Sequence, residues 1–260
     1  MPLFLIISLD RTPERWERVK RDFFNFLGFK PKKISAVDGQ NYVGDIASLS
    51  PTAEESLIQR PMSKGEVACY LSHAECWKAL LQSHEEWALV MEDDIHFVPN
   101  AQDIVASPDW IPEGVDIVQV GAYKEQDERS LSLRKTLKPI AGFELIKMFY
   151  PMSWGTQAYW INRRAAKKAL EISDRILGPV DHFLFDQGFL FAKSLNVYTL
   201  NPFVVYQKDE VSGSLLEKER EEMRKLEVLK DFRLNFLQRL ILRVKKKIFL
   251  KPIVRKKFAG

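Results

Sequence analysis

Trp87-Ala88-Leu89-Val90-Met91-Glu92-Asp93-Asp94 decides the fold, because five apolar residues run straight into three acids. A short apolar run that ends abruptly in acids reads as a short apolar strand. In open α/β sheets, ligands bind at the carboxyl ends of such strands. Adjacent carboxylates repel one another unless a cation or a basic group neutralises them. Hard divalent cations take one or two carboxylates plus substrate phosphates. Alternation along an extended chain sets Glu92 and Asp94 on one side, flanking Asp93. The cluster therefore reads either as a metal–diphosphate site or as a surface turn, and three consecutive acids favour the site.

The surrounding chain alternates strands with helices. Leu3 to Leu9 reads as a buried strand, and Thr12 caps a helix with Pro13 at its first position. Trp16, Val19, Phe23, Phe26 and Leu27 recur at helical spacing until Gly28 stops the helix. Lys33 to Val37 reads as a second strand ending at Asp38-Gly39, and residues 40–62 are polar and irregular. Ser63-Lys64-Gly65-Glu66 fits a capping box. It opens a helix with a stripe of Val67, Tyr70, Leu71, Ala74, Trp77 and Leu81. Further strands are expected at Ile117 to Val120 and at Trp154 to Ile161, the latter feeding a helix from Arg163 to Ile172. Asp181 to Ala192 reads as helix and Val197 to Tyr206 as extended. This alternation predicts an α/β layered domain.

Composition narrows the class. With 260 residues, 46% hydrophobic and 28% charged, the chain can bury a core, which excludes disorder and small disulfide scaffolds. No apolar stretch is long enough to span a bilayer. The first strand meets Asp10 and Arg11 without a basic leader or a cleavage site, so no signal peptide and a cytoplasmic location are expected. Cys69 and Cys76 lie about 10 Å apart along a helix, too far to pair, so both are expected reduced. Dinucleotide, P-loop, serine-hydrolase and zincin signatures are absent.

Charge is divided unevenly. From Arg233 onward there are ten Lys/Arg and no Asp/Glu, leaving 29 basic against 35 acidic residues before it, a net of −6. A nucleic-acid partner is not expected, because such binders carry basic surface across the folded domain. Leu215 to Asp231 reads as a charged helix that continues into a basic amphipathic one. Such a helix suits an anionic membrane face, at about 1 kcal/mol per basic residue near the surface. The alternative is a solvated helix docking on the acidic body.

Several blocks together resemble glycosyltransferase family 25, the lipopolysaccharide and lipooligosaccharide galactosyl- and glucosyltransferases. They are Ser8-Leu9-Asp10-Arg11 with Arg15, Ala36-Val37-Asp38-Gly39, Gly65-Glu66-Val67-Ala68-Cys69-Tyr70-Leu71-Ser72-His73 and Glu92-Asp93-Asp94. The likeness continues through Gly155-Thr156-Gln157-Ala158-Tyr159, Pro179-Val180-Asp181, Asn201-Pro202 and Tyr206-Gln207. It implies a GT-A-like, Rossmann-type nucleotide-sugar-binding domain with a mixed central sheet over residues 1–214. The basic helical tail then occupies 215–260.

The resemblance also implies an inverting transfer from a UDP-hexose, most simply UDP-galactose, with Mn²⁺ or Mg²⁺. The acceptor it implies is a bacterial glycolipid at the inner face of the inner membrane. Asp94 becomes the direct metal contact, with Glu92 and, more weakly, His182 as further ligands and Asp93 on ribose or sugar hydroxyls. Ser8, Leu9, Arg11 and Arg15 suit the nucleotide, as do Asp38 and Gly39 unless these form a plain turn. Glu66 is a donor contact or merely the capping-box acid. His73 is a donor contact or a packed core histidine. Asp181 is the candidate base or an N-cap, with His182 and Asp186 as i, i+4 neighbours able to act instead. Trp154, Thr156 and Gln207 are assigned to the acceptor. The competing readings are another metal-dependent phosphoester enzyme and a non-enzymatic peripheral membrane adaptor.

Overall fold

A computed structural model describes residues 1–42, 46–49, 62–123, 129–150, 155–172, 176–186, 189–207 and 253–255. Its elements run β1 (Leu3–Ser8), α1 (Pro13–Leu27), β2 (Lys32–Ser35), α2 (Ile46–Leu49), α3 (Lys64–Gln82), β3 (Trp87–Glu92), β4 (Ile95–Phe97) and α4 (Gln102–Ala106). They continue with β5 (Ile117–Gln119), β6 (Gly121–Tyr123), β7 (Arg129–Ile140), β8 (Phe143–Tyr150), β9 (Ala158–Asn162) and α5 (Arg163–Ile172). The last are α6 (Val180–Phe185), α7 (Leu190–Lys193), β10 (Val197–Asn201), β11 (Val205–Gln207) and β12 (Ile253–Arg255).

Among the described residues, one mixed sheet runs β12-β7-β8-β10-β5-β9-β3-β1-β2, and a small one runs β4-β11-β6. The central strands are apolar on both faces because helices cover both. Leu5, Ile7, Ala88, Val90, Tyr159 and Ile161 pack toward α3, α5 and α6. Their alternate neighbours Phe4, Ile6, Leu89, Met91 and Trp160 pack toward α1 and α4. Period-2 alternation with both sets buried is what a sheet sandwiched between helix layers requires.

Strand direction gathers the loops at one edge. β1 runs parallel to β2 and β3, so Ser8, Ser35 and Glu92 end together. β9 is antiparallel to β3 and β5, so its entry loop 155–157 and the end of β5 arrive at the same edge. The Glu92 N–H donates to the Gln157 carbonyl at 3.0 Å, joining the acidic turn to that loop.

Four local expectations are corrected. Thr12 sits at the N-cap of α1, but its hydroxyl donates back to the Leu9 carbonyl rather than accepting a helix N–H. The strand expected from Trp154 begins at Ala158, because Gly155 takes φ +90° and Gln119 binds its carbonyl. The helix expected over Asp181 to Ala192 is two short helices, the first closing at Asp186. In the tail, Ile253–Arg255 is a strand antiparallel to β7. Pro252 cannot continue a helix, and the β-branched pair after it favours extension. The rest of the expected helical tail, including all of 215–252, lies outside the described residues.

Candidate functional site

The carboxyl edge holds the acidic cluster, and each acid meets a different partner. β3 ends at Glu92, and Asp93-Asp94 turn before β4. The turn breaks the alternation that would have aligned Glu92 with Asp94. Asp93 is 6% exposed. The Arg15 guanidinium instead binds Asp93 Oδ1 at 2.7 Å and Asp94 Oδ2 at 2.9 Å. Burial pushes the Asp93 pKa up, against the pull of Arg15 and the Ser8 hydroxyl. Arg18, one turn along α1, donates to the Asp93 carbonyl at 2.8 Å. The i, i+3 spacing of Arg15 and Arg18 was the sequence signal for this second arginine.

Asp94 is fixed from one side only. Gln207 Nε2 donates to its Oδ2 at 2.7 Å, and Gln157 Nε2 donates to Gln207 Oε1 at 3.2 Å. Asp94 Oδ1 is buried without a hydrogen-bond partner. Gln157 is 0% exposed and packs where a Gly155 Cβ would stand, so only glycine fits there. Glutamine at 157 was visible in sequence, yet nothing local showed that it supports the Asp94 contact.

Glu92 turns to the loop and to α3. Thr156 Oγ1 donates to Glu92 Oε1 at 2.7 Å, and His73 Nε2 lies 4.0 Å from the same oxygen. Thr156 and Gln207, assigned from sequence to the acceptor, are thus committed to Glu92 and Asp94. His73 is 0% exposed, packed in the core beside Tyr159. Burial holds its pKa down to about 3. Glu66 closes the capping box of α3, with its carboxylate accepting the Ser63 N–H and the Ser63 hydroxyl accepting the Glu66 N–H. It acts there as a helix cap.

The neighbouring loops frame the cluster. Ser8 is buried beneath it, and the Leu9 carbonyl closes the turn into α1. Arg11 Nε pairs with Asp38 Oδ2 at 2.9 Å. The Gln40 N–H, with Asn41 and Arg11, keeps the Asp38 carboxyl below the usual carboxylate range. Gly39 sits against the Lys64 carbonyl, where a Cβ would crowd the backbone. Ser72 accepts the Val37 N–H at 2.9 Å, tying this turn to α3.

Asp181 reaches the same loop. Its Oδ2 accepts the Gly155 N–H at 3.2 Å and its Oδ1 the His182 N–H at 2.9 Å. It lies in the first turn of α6, whose N-cap is Pro179, so it is not an N-cap aspartate. His182 faces Asp186 at 3.5 Å. Among the described residues no three His, Cys, Asp or Glu side chains converge as a metal cage, so Glu92, Asp94 and His182 do not form one. Cys69 and Cys76 are both free thiols. Trp154 lies outside the described residues.

Comparison with known proteins gives a consistent picture. Residues 1–184 match the model of glycosyltransferase family 25 (LPS biosynthesis protein). A glycosyltransferase 25 family member of Aedes aegypti is 32% identical over 190 residues, 69% of this chain and 30% of that protein. Procollagen galactosyltransferase 1-A of Xenopus laevis is 30% identical, again over 69% of this chain and 30% of the relative. The chain thus spans under a third of these animal relatives. The lipooligosaccharide biosynthesis protein lic2B of Haemophilus influenzae is 25% identical, over 85% of this chain and 84% of its own length.

Proposed function

The chain belongs to glycosyltransferase family 25, and from that premise we propose that it is a metal-dependent, inverting hexosyltransferase with a GT-A-like domain. Its proposed reaction moves galactose from UDP-galactose onto a sugar of a bacterial lipooligosaccharide or lipopolysaccharide. The names of the procollagen galactosyltransferase and of lic2B support the sugar and the acceptor. The observation that carries the reading is Asp94, braced by Arg15 and Gln207 on Oδ2 while Oδ1 is buried without a partner.

That oxygen supports a cation. A buried carboxylate oxygen without a donor is costly, and hard oxygen is what Mn²⁺ or Mg²⁺ takes. With no three-ligand cage among the described residues, substrate phosphates would supply the remaining ligands, as is usual for Mg²⁺. Asp94 would hold it through Oδ1, with Glu92 nearby on the β3 side. A bound divalent cation supplies neutralisation of the leaving diphosphate.

The chain's own residues do the rest. Arg15 and Gln207 orient Asp94 before the donor arrives, so no reorganisation is needed at the moment of transfer. The Ser8–Arg11 loop and the Asp38-Gly39 turn border the nucleotide. Asp181 takes the acceptor hydroxyl's proton at a carboxylate oxygen as that hydroxyl attacks the anomeric carbon. The bond to UDP breaks on the opposite face, inverting the centre. The basic stretch from Arg233 holds the enzyme to the anionic inner leaflet, where the glycolipid lies.

The test is transfer of labelled galactose from UDP-galactose to truncated lipooligosaccharide with Mn²⁺. A labelled acceptor that disappears with chelator supports the reading. Phosphate release from simple esters without any sugar acceptor would overturn it in favour of a phosphoester enzyme.

A further inference from the structure

Behind Glu92 lies a chain of three fully buried polar side chains. Trp77 and His73 stand one turn apart on α3, Tyr159 faces them from β9, and all three are 0% exposed. The Trp77 indole N–H donates to the Tyr159 hydroxyl at 3.0 Å, and His73 Nδ1 lies 2.9 Å from the same oxygen. His73 Nε2 is buried without a hydrogen-bond partner and points toward Glu92 Oε1, 4.0 Å away. The mechanism above uses none of these three.

Hydrogen counting fixes the tautomer. An indole only donates, so Tyr159 Oη accepts from Trp77 and has one hydrogen of its own to place. Enclosed in protein, the imidazole is neutral and carries a single N–H. If that hydrogen were on Nδ1, it would point at the phenol oxygen and leave the phenol hydrogen without an acceptor. The bare Nε2 lone pair would then face the Glu92 carboxylate. Both are penalties of unmet or opposed buried polar groups. With the hydrogen on Nε2, Tyr159 donates to Nδ1 and the imidazole aims an N–H at Glu92.

We propose that His73 is a positioning residue whose Nε2–H, set by the Trp77–Tyr159 pair, is the buried donor that locks Glu92 Oε1 when the nucleotide site is loaded. Thr156 already donates to that oxygen from the loop side. A shift of Glu92 by about 1 Å toward α3 brings it within hydrogen-bond reach of Nε2. Two donors on one oxygen would fix the carboxylate's orientation at the end of β3. The inference rests on the reading of this edge as the donor site, but the tautomer does not.

Two substitutions separate the roles of the two nitrogens. His73→Gln can place an amide N–H where Nε2 stands, and His73→Asn can place a polar atom only where Nδ1 stands, facing Tyr159. Calorimetric titration of UDP with Mn²⁺ into the full chain is expected to find His73→Gln within about threefold of the parent and His73→Asn about tenfold weaker. The reverse order, or equal losses, overturns the proposal. Long-range proton–nitrogen NMR of the parent supplies a measurement that no folding defect can blur. It should show His73 protonated on Nε2. A parent protonated on Nδ1 overturns the proposal whatever UDP does. A parent with the Nε2–H tautomer that binds no UDP at any metal concentration instead sinks the donor-site reading, and the Glu92 lock with it.

Discussion

The two carboxylate oxygens of Asp94 are unequal: Oδ2 pairs with Arg15 and Gln207, whereas Oδ1 is buried and unpartnered. Replacing Asp94 by Ala removes the oxygen proposed for the cation and is expected to cut transfer by at least about 10²-fold. Its thermal midpoint should stay close to the parent's, because Arg15 keeps its pair with Asp93 and the buried, unpartnered Oδ1 is removed together with the carboxylate. Full activity in that variant would remove the central claim. His73 offers a residue-scale test by pH. Its native pKa of about 3 lies below the unfolded value of about 6.5. Between those values the unfolded chain binds the proton and the native state does not. Stability present above pH about 6.5 is therefore lost as pH falls, by at most about 1.4 kcal/mol per pH unit. His73→Asn abolishes that titration, so the gap in thermal midpoint between parent and variant should narrow from about pH 7 to about pH 5. A constant gap would mean that the native ring takes up a proton.

At the scale of elements, the loop before β9 joins every part of the site. Gly155 at φ +90° leaves room for the Gln157 amide, binds Asp181 through its N–H and Gln119 through its carbonyl. Gly155→Ala is expected to cost about 1–2 kcal/mol of stability from the left-handed backbone alone. It should also lower activity at temperatures where the variant is fully folded, since Gln157 must leave Gln207. Unchanged activity in folded protein would detach the loop from catalysis. Much of this framework was legible beforehand. The apolar runs of β1 and β3, the Gly28 stop of α1 and the capping box of α3 are local signals, and each appears in the structure. The β7–β8 hairpin lies outside the expected elements, although Gly142 and the Ser130-Leu131-Ser132-Leu133 alternation are sequence signals for it. The antiparallel insertion of β9 between β3 and β5 was also hidden. Strand order comes from long-range packing, so the link from Gln157 through Gln207 to Asp94 could not be read along the chain.

Across the whole molecule, parallel β1, β2 and β3 deliver Ser8, the 36–39 turn and the acids to one edge, while antiparallel β9 brings the 155–157 loop back to it. The acidic body and the basic tail divide the proposed labour between chemistry and membrane. Replacing Lys245, Lys246 and Lys247 by Glu should abolish binding to anionic vesicles while leaving transfer to a soluble acceptor unchanged. Retained vesicle binding would refute the role given to the tail. The most direct measurement of the central claim is calorimetric titration of UDP into the full chain, with Mn²⁺ and then with chelator. Saturable binding that needs the metal, and that Asp94→Ala loses, is the expected result. Well-folded protein that binds no UDP under either condition would contradict a nucleotide-sugar site at this edge.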